Sequence, residues 1–122
     1  MTPILVVDDE PPIRSYLKHV LSRNGFQILE AHDGASAISI TRKFAGSIGA
    51  LVTDIEMKGM NGIALAKTVT GEFPQIPVLF ITAMAISEED LRRDVPLCVL
   101  LQKPFGPKQV VQWLRILLAR TS

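Results

Sequence analysis

Residues 5–12 read Leu5-Val6-Val7-Asp8-Asp9-Glu10-Pro11-Pro12. An apolar run rich in β-branched residues ends in three adjacent carboxylates and then two prolines. With Ile4 in front of it, the run has the length and composition of a buried strand. Pro11 or Pro12 suits the first turn of a helix, where a missing N–H costs nothing. Three like charges at the junction repel one another, so something else in the molecule must offset that repulsion.

The same pattern recurs along the chain. Ile13, Tyr16, Leu17, Val20 and Leu21 follow at helical spacing, and Asn24-Gly25 is a stop signal. Residues 27–31 form a short, partly polar strand, placed nearer an edge. Asp33-Gly34 opens a second helix through Ala37, Ile40, Thr41 and Phe44. Residues 50–53 are a third strand that stops at Asp54. After Gly59-Met60-Asn61-Gly62, a third helix carries Ile63, Ala66, Val69 and Phe73. Residues 77–81 are a fourth strand ending at Thr82. Ser87, with Asp90 three residues on, resembles a capping box and starts a short helix. Residues 97–101 are the fifth strand. Pro107 starts the last helix, with Val110, Val111, Leu114, Leu117 and Leu118 inward. Continuous apolar strands alternating with helices predict an α/β fold: a parallel sheet covered on both faces and joined by right-handed crossovers.

Length and composition set the outer limits. The 122 residues suffice for one domain, residues 1–122, and one core. With 48% hydrophobic and 20% charged residues, the chain reads as an ordinary soluble globular protein. A net charge of +1 supplies no field to steer it to nucleic acid or an acidic membrane. No apolar run approaches the roughly 20 residues that span a bilayer. Met1-Thr2-Pro3 lacks a basic leader, so no signal peptide is expected; Met1 and the early stop favour a stand-alone protein, with a domain cut from a longer chain as the alternative. The single cysteine, Cys98, fits a reducing cytoplasm and excludes a disulfide scaffold or a multi-cysteine metal site.

In an open parallel sheet, ligands bind beyond the carboxyl ends of the strands. The first strand ends there in Asp8-Asp9, the third in Asp54, the fourth in Thr82, and Lys103-Pro104 follows the fifth. Singly, each has a bland reading: helix caps for Asp8 and Asp9, a turn residue for Asp54, a backbone-bonded hydroxyl for Thr82, a solvated charge for Lys103. Converging on one rim, they are a poor arrangement for stability alone. They fit phosphoryl transfer with magnesium. A hard divalent cation takes oxygen ligands and neutralises charge on an incoming phosphoryl group. Lys103 offers a compact positive charge, Thr82 a hydroxyl donor, and Asp54, on the central strand, a nucleophile that would form an acyl phosphate.

Taken together, ILVVDDE (4–10), LVTDIEMKGMNG (51–62), PVLFITA (77–83) and LLQKPF (100–105) resemble the receiver domain of bacterial two-component response regulators. The resemblance covers essentially the whole chain. It implies a flavodoxin-like fold with strand order 2-1-3-4-5. It also implies roles: Asp54 as phosphoacceptor; Asp9 as direct magnesium ligand, with Asp8 acting largely through water; and the main-chain carbonyl of Glu56 as the remaining protein ligand. Lys103 would pair with the phosphoryl group, Thr82 would move towards it on activation, and Lys103-Pro104 would be a cis peptide. The implied donor is a phosphohistidine on a sensor histidine kinase or histidine phosphotransfer protein. The implied output is a shift of the face made by the fourth helix, fifth strand and fifth helix, a face through which a homodimer can also form.

Several positions depart from the family pattern. Leu100 stands where an aromatic switch residue is common, so no ring hydroxyl can report phosphorylation by turning inward. Lys58 replaces a common proline and is expected to loosen its loop. Glu56 places a carboxylate near the path of the attacking water and is expected to alter the lifetime of the phosphorylated state. Asp94-Val95-Pro96 lacks the Gly-Ala pair common before the fifth strand. His19 and His32 are read as surface or structural residues away from the rim, and Cys98 as buried and inert. Met57 and Met60 fill gaps beside the site loop. Trp113 and Ile116 widen the apolar arc of the last helix, by simple packing or as a partner anchor. Two competing functions remain: a phosphorylation-independent scaffold, which Leu100 keeps open, and a magnesium phosphohydrolase, which lacks a cap and a separate general acid. Direct DNA binding lacks a basic patch or recognition helix.

Overall fold

The computed structural model describes residues 2–45 and 47–121. The opening apolar run is β1 (Ile4–Val7), buried throughout. Pro11 and Pro12 occupy the first turn of α1 (Pro11–Arg23). Then come β2 (Ile28–Ala31), α2 (Gly34–Lys43), β3 (Ala50–Asp54), α3 (Gly62–Glu72), β4 (Val78–Thr82), α4 (Glu88–Asp94), β5 (Cys98–Gln102) and α5 (Pro107–Ala119). Side-chain caps fix where three helices begin. Asp33 accepts the Ser36 N–H, Asn61 the Ala64 N–H and Ser87 the Asp90 N–H.

The strands form one sheet in the order β2-β1-β3-β4-β5, every pair parallel. Alternation along the strands divides the core in two. Leu5, Val7, Leu51, Val78 and Phe80 pack with Ala37 of α2, Leu65, Ala66 and Val69 of α3, and Leu91 of α4. Ile4, Val6, Val52, Leu79, Ile81 and Val99 pack with Leu17, Val20 and Leu21 of α1 and with Val110, Val111, Leu114 and Leu117 of α5. Each helix therefore buries one stripe, and the sheet carries two apolar faces, as an all-parallel sheet requires.

Some expectations shift. β5 starts one residue late because Leu97 gives only its carbonyl, to the Val78 N–H, while its side chain stays exposed. Tyr16 is also exposed, since Leu17, Val20 and Leu21 fill the inward arc of α1; its ring leans on Phe105 with centroids 6.3 Å apart. Trp113 is half-buried against the α5 core. Cys98 is buried, and burial pushes its thiol up to about 11.

At the β5 edge, α4 lies alongside and supplies side chains to the strand's open backbone. Glu88 Oε1 accepts the Leu100 N–H at 2.7 Å, and Arg92 Nε makes a long 3.5 Å contact to the Cys98 carbonyl. Glu88 and Arg92 also pair with each other at 2.9 Å. Gln102 Nε2 donates to the Met84 carbonyl at 2.6 Å.

Candidate functional site

Strand register assembles the site. Val7 lies opposite Thr53, so Asp8 leaves β1 beside Asp54 at the end of β3. Asp54 lies opposite Ile81, which puts Thr82 one step further along the same rim. Thr82 lies opposite Gln102, so Lys103 emerges next. The Lys103–Pro104 bond is cis. Four separate strands thus deliver Asp8, Asp54, Thr82 and Lys103 to one edge, where a cleft of about 840 Å³ opens, lined by Asp54 and Lys103 together with Asp9, Asp33, Met57 and Lys58.

Lys103 Nζ meets Asp54 Oδ2 at 2.8 Å, and the Glu56 N–H donates to Asp54 Oδ1 at 3.2 Å. Asp8 Oδ1 accepts the Glu10 N–H at 2.9 Å, while Arg14 Nη1 donates to the Asp8 carbonyl at 2.7 Å. Asp8, Asp54 and Thr82 are 1%, 3% and 0% exposed, so two carboxylates sit at the sheet end almost out of water. Burial raises the Asp54 carboxyl from 3.8 to about 6; the nearby Glu56 carboxyl adds to the rise, and Lys103 opposes it. Burial also raises Asp8, against the pull of the Glu10 N–H and Lys103. For Lys103, burial works to lower the ammonium's pKa, but its bond to Asp54 and the negative charges of Asp54, Asp8 and Glu56 together outweigh that and the net shift is upward.

One oxygen from each of Asp8, Glu10 and Asp54 lies within 4.8 Å of the other two. These are hard oxygen donors, two of them buried, with negative charge that one ammonium does not balance. That donor set fits a magnesium ion, which takes carboxylates and retains water. The loop after β3 closes the far side. Gly59 takes φ +77, a left-handed turn that glycine adopts without strain. Gly62 opens α3 directly on the backbone of Asp54 and Ile55, its N–H donating to the Ile55 carbonyl at 2.9 Å. A Cβ there would collide with the Asp54 carbonyl.

Residues 4–115 match the response regulator receiver domain family. The chain belongs to that family. It is 34% identical over 120 residues to the response regulator MprA of Mycobacterium tuberculosis, covering 98% of this chain and 51% of that protein. The chain spans about half the length of the curated relatives it matches. Among solved structures it resembles chemotaxis protein CheY4 of Vibrio cholerae, at TM-score 0.86 and 27% identity over 96% of this chain and 98% of the other. It also resembles the receiver domain of the hybrid histidine kinase CckA, at TM-score 0.80 and 31% identity over 95% and 98%. The chain is therefore a receiver domain of two-component signalling, a signalling-domain family whose members generally bind magnesium at an acidic pocket, and it carries such an acidic cluster.

The receiver's rim holds the expected Asp8, Asp54, Thr82 and Lys103 together. Asp9 lines the cleft, where its Oδ2 accepts the Lys58 N–H at 3.0 Å, and the Glu10 carboxylate joins Asp8 and Asp54 in a three-carboxylate cluster. Lys58 correspondingly ties its loop down instead of loosening it: it offers an N–H that the usual proline lacks. Glu56 turns its carboxylate towards β4, where Oε1 accepts the Thr82 hydroxyl at 2.8 Å and the Ala83 N–H at 3.2 Å. Leu100 is half-buried with its N–H held by Glu88. His32 is not away from the rim: it follows β2 on the same side of the sheet and contacts Asp33 at 3.4 Å. Glu10, Arg14 and the Ala83 N–H carried no assigned role in the sequence reading. The third carboxylate of the opening octapeptide was the signal for Glu10; nothing in local spacing marks the other two.

Proposed function

We propose that residues 1–122 act as one receiver module that accepts a phosphoryl group on Asp54 in a magnesium-dependent reaction. The observation that carries this reading is the Asp54 carboxylate itself, buried at the sheet end, held by Lys103 at 2.8 Å and facing the acidic cluster. Magnesium, when bound, would offset the carboxylate repulsion and draw charge off the incoming phosphoryl oxygens. Asp8, Asp9, Asp54 and the Glu56 carbonyl would hold it, with the Glu10 carboxylate close to Asp8 and Asp54.

An Asp54 carboxylate oxygen attacks phosphorus as the bond to the donor's imidazole nitrogen breaks. The electron pair leaves with that nitrogen, which the donor's own proton exchange restores to imidazole. Lys103 neutralises one phosphoryl oxygen, and Thr82 donates to another. Water later attacks phosphorus, returning the carboxylate and releasing phosphate, so the domain assists its own loading and unloading without being a turnover enzyme. The donor in this reading is a cytoplasmic sensor histidine kinase or histidine phosphotransfer protein. The output is a shift of the α4–β5–α5 face, which is also the surface for a homodimer or target; direct nucleic-acid or membrane contact has no part in it. No described helix is long and apolar enough to cross a membrane.

Incubation with magnesium and acetyl phosphate should add one phosphoryl group to the intact mass. The gain should be absent in Asp54→Asn and abolished by chelator. A folded, magnesium-binding protein that takes up nothing would overturn the reading in favour of a phosphorylation-independent scaffold.

A further inference from the structure

The site already contains an anion in the position of a ligand. Glu56 Oε1 accepts both the Thr82 hydroxyl at 2.8 Å and the Ala83 N–H at 3.2 Å. Thr82 has no water to turn to, being 0% exposed, and the Met84 N–H donates to its oxygen at 2.9 Å. That bond fills an acceptor site on the hydroxyl and leaves its proton to Glu56. Glu56 is anchored to the nucleophile as well, through its N–H on Asp54 Oδ1. A carboxylate oxygen thus sits between Asp54 and two donors at the carboxyl end of β4.

We propose that the Glu56 carboxylate is an internal surrogate for the phosphoryl group, occupying the Thr82 and Ala83 donors until phosphorylation displaces it. This rests on Asp54 being the phosphoacceptor. A phosphoryl group on Asp54 brings about two negative charges and three acceptor oxygens beside Glu56. Two anions cannot share one hydroxyl proton and one N–H, and like charges at that separation repel. Glu56 can yield because it lies in the exposed β3–α3 loop with water within reach. Loading is then an exchange of one anion for another on the same donors. The surrogate raises the barrier to loading, and its departure is a structural event that needs no aromatic switch at Leu100.

The test is a double-mutant cycle on the rate of phosphoryl uptake from acetyl phosphate with magnesium, followed by intact mass. Removing a charge-assisted hydrogen bond that must break on loading should speed uptake about tenfold in Glu56→Ala. Glu56→Gln, which keeps the acceptor but not the charge, should fall between. In a Thr82→Ala background, Glu56→Ala should gain less than about threefold, because the main donor it frees is already gone. Equal acceleration in both backgrounds would mean simple charge relief and overturn the proposal, as would no acceleration in Glu56→Ala with its melting temperature unchanged. If neither wild type nor any variant shows a gain that Asp54→Asn lacks, the phosphoacceptor reading fails first and takes the proposal with it.

Discussion

At the scale of single residues, the buried carboxyls dominate. The folded protein protonates Asp54 at about 6 against 3.8 for an ordinary aspartate. Between those values the folded state holds a proton that the unfolded chain has lost. The resulting stability is complete below 3.8 and disappears as pH rises through about 6. Without metal, wild type should therefore lose stability relative to Asp54→Asn as pH goes from 4 to 8, by on the order of 2 kcal/mol, and then level off. Magnesium should close the gap by binding wild type alone. Melting curves at several pH values, with and without magnesium, measure both; a gap independent of pH would assign the Asp54 environment wrongly. The cluster's acidity was visible in three consecutive acidic letters. That Asp9 also accepts a backbone N–H was not, because its donor is Lys58, 49 residues away.

At the scale of elements, the β3–α3 connection decides the shape of the site. Gly62 lets the start of α3 rest on the last peptide of β3. Gly62→Ala should push the two apart, costing about 3 kcal/mol and lowering the melting temperature by about 10 °C. Magnesium affinity should fall with it, since Asp54 lies on the displaced strand end. Calorimetry and a magnesium titration would report the two effects; an unperturbed metal affinity would show that the loop does not shape the site. Element positions were legible where chemistry is local: the prolines of α1, the caps Asp33, Asn61 and Ser87, and the apolar strands. The Glu56 bonds were not legible, because one glutamate has the same local signature whether it points to water or to the next strand.

At the scale of the whole molecule, five parallel strands put every chemical residue on one rim and leave the opposite rim to connections. The sequence conveyed this through polar residues at strand ends, and the two-sided core through uninterrupted apolar runs. It did not convey how the open side of β5 is closed. A bare outer strand is a template for another chain's backbone, and proteins block such templates to avoid sheet-to-sheet growth. Here the Glu88–Arg92 pair of a seven-residue helix stands in for a sixth strand. Glu88→Ala should free the Leu100 N–H, cost about 1–2 kcal/mol and produce concentration-dependent scattering that Glu88→Gln largely prevents. Any signal that lifts α4 would also unmask that template, so the movement that exposes a docking face would, in the same stroke, make the molecule adhesive to its own kind.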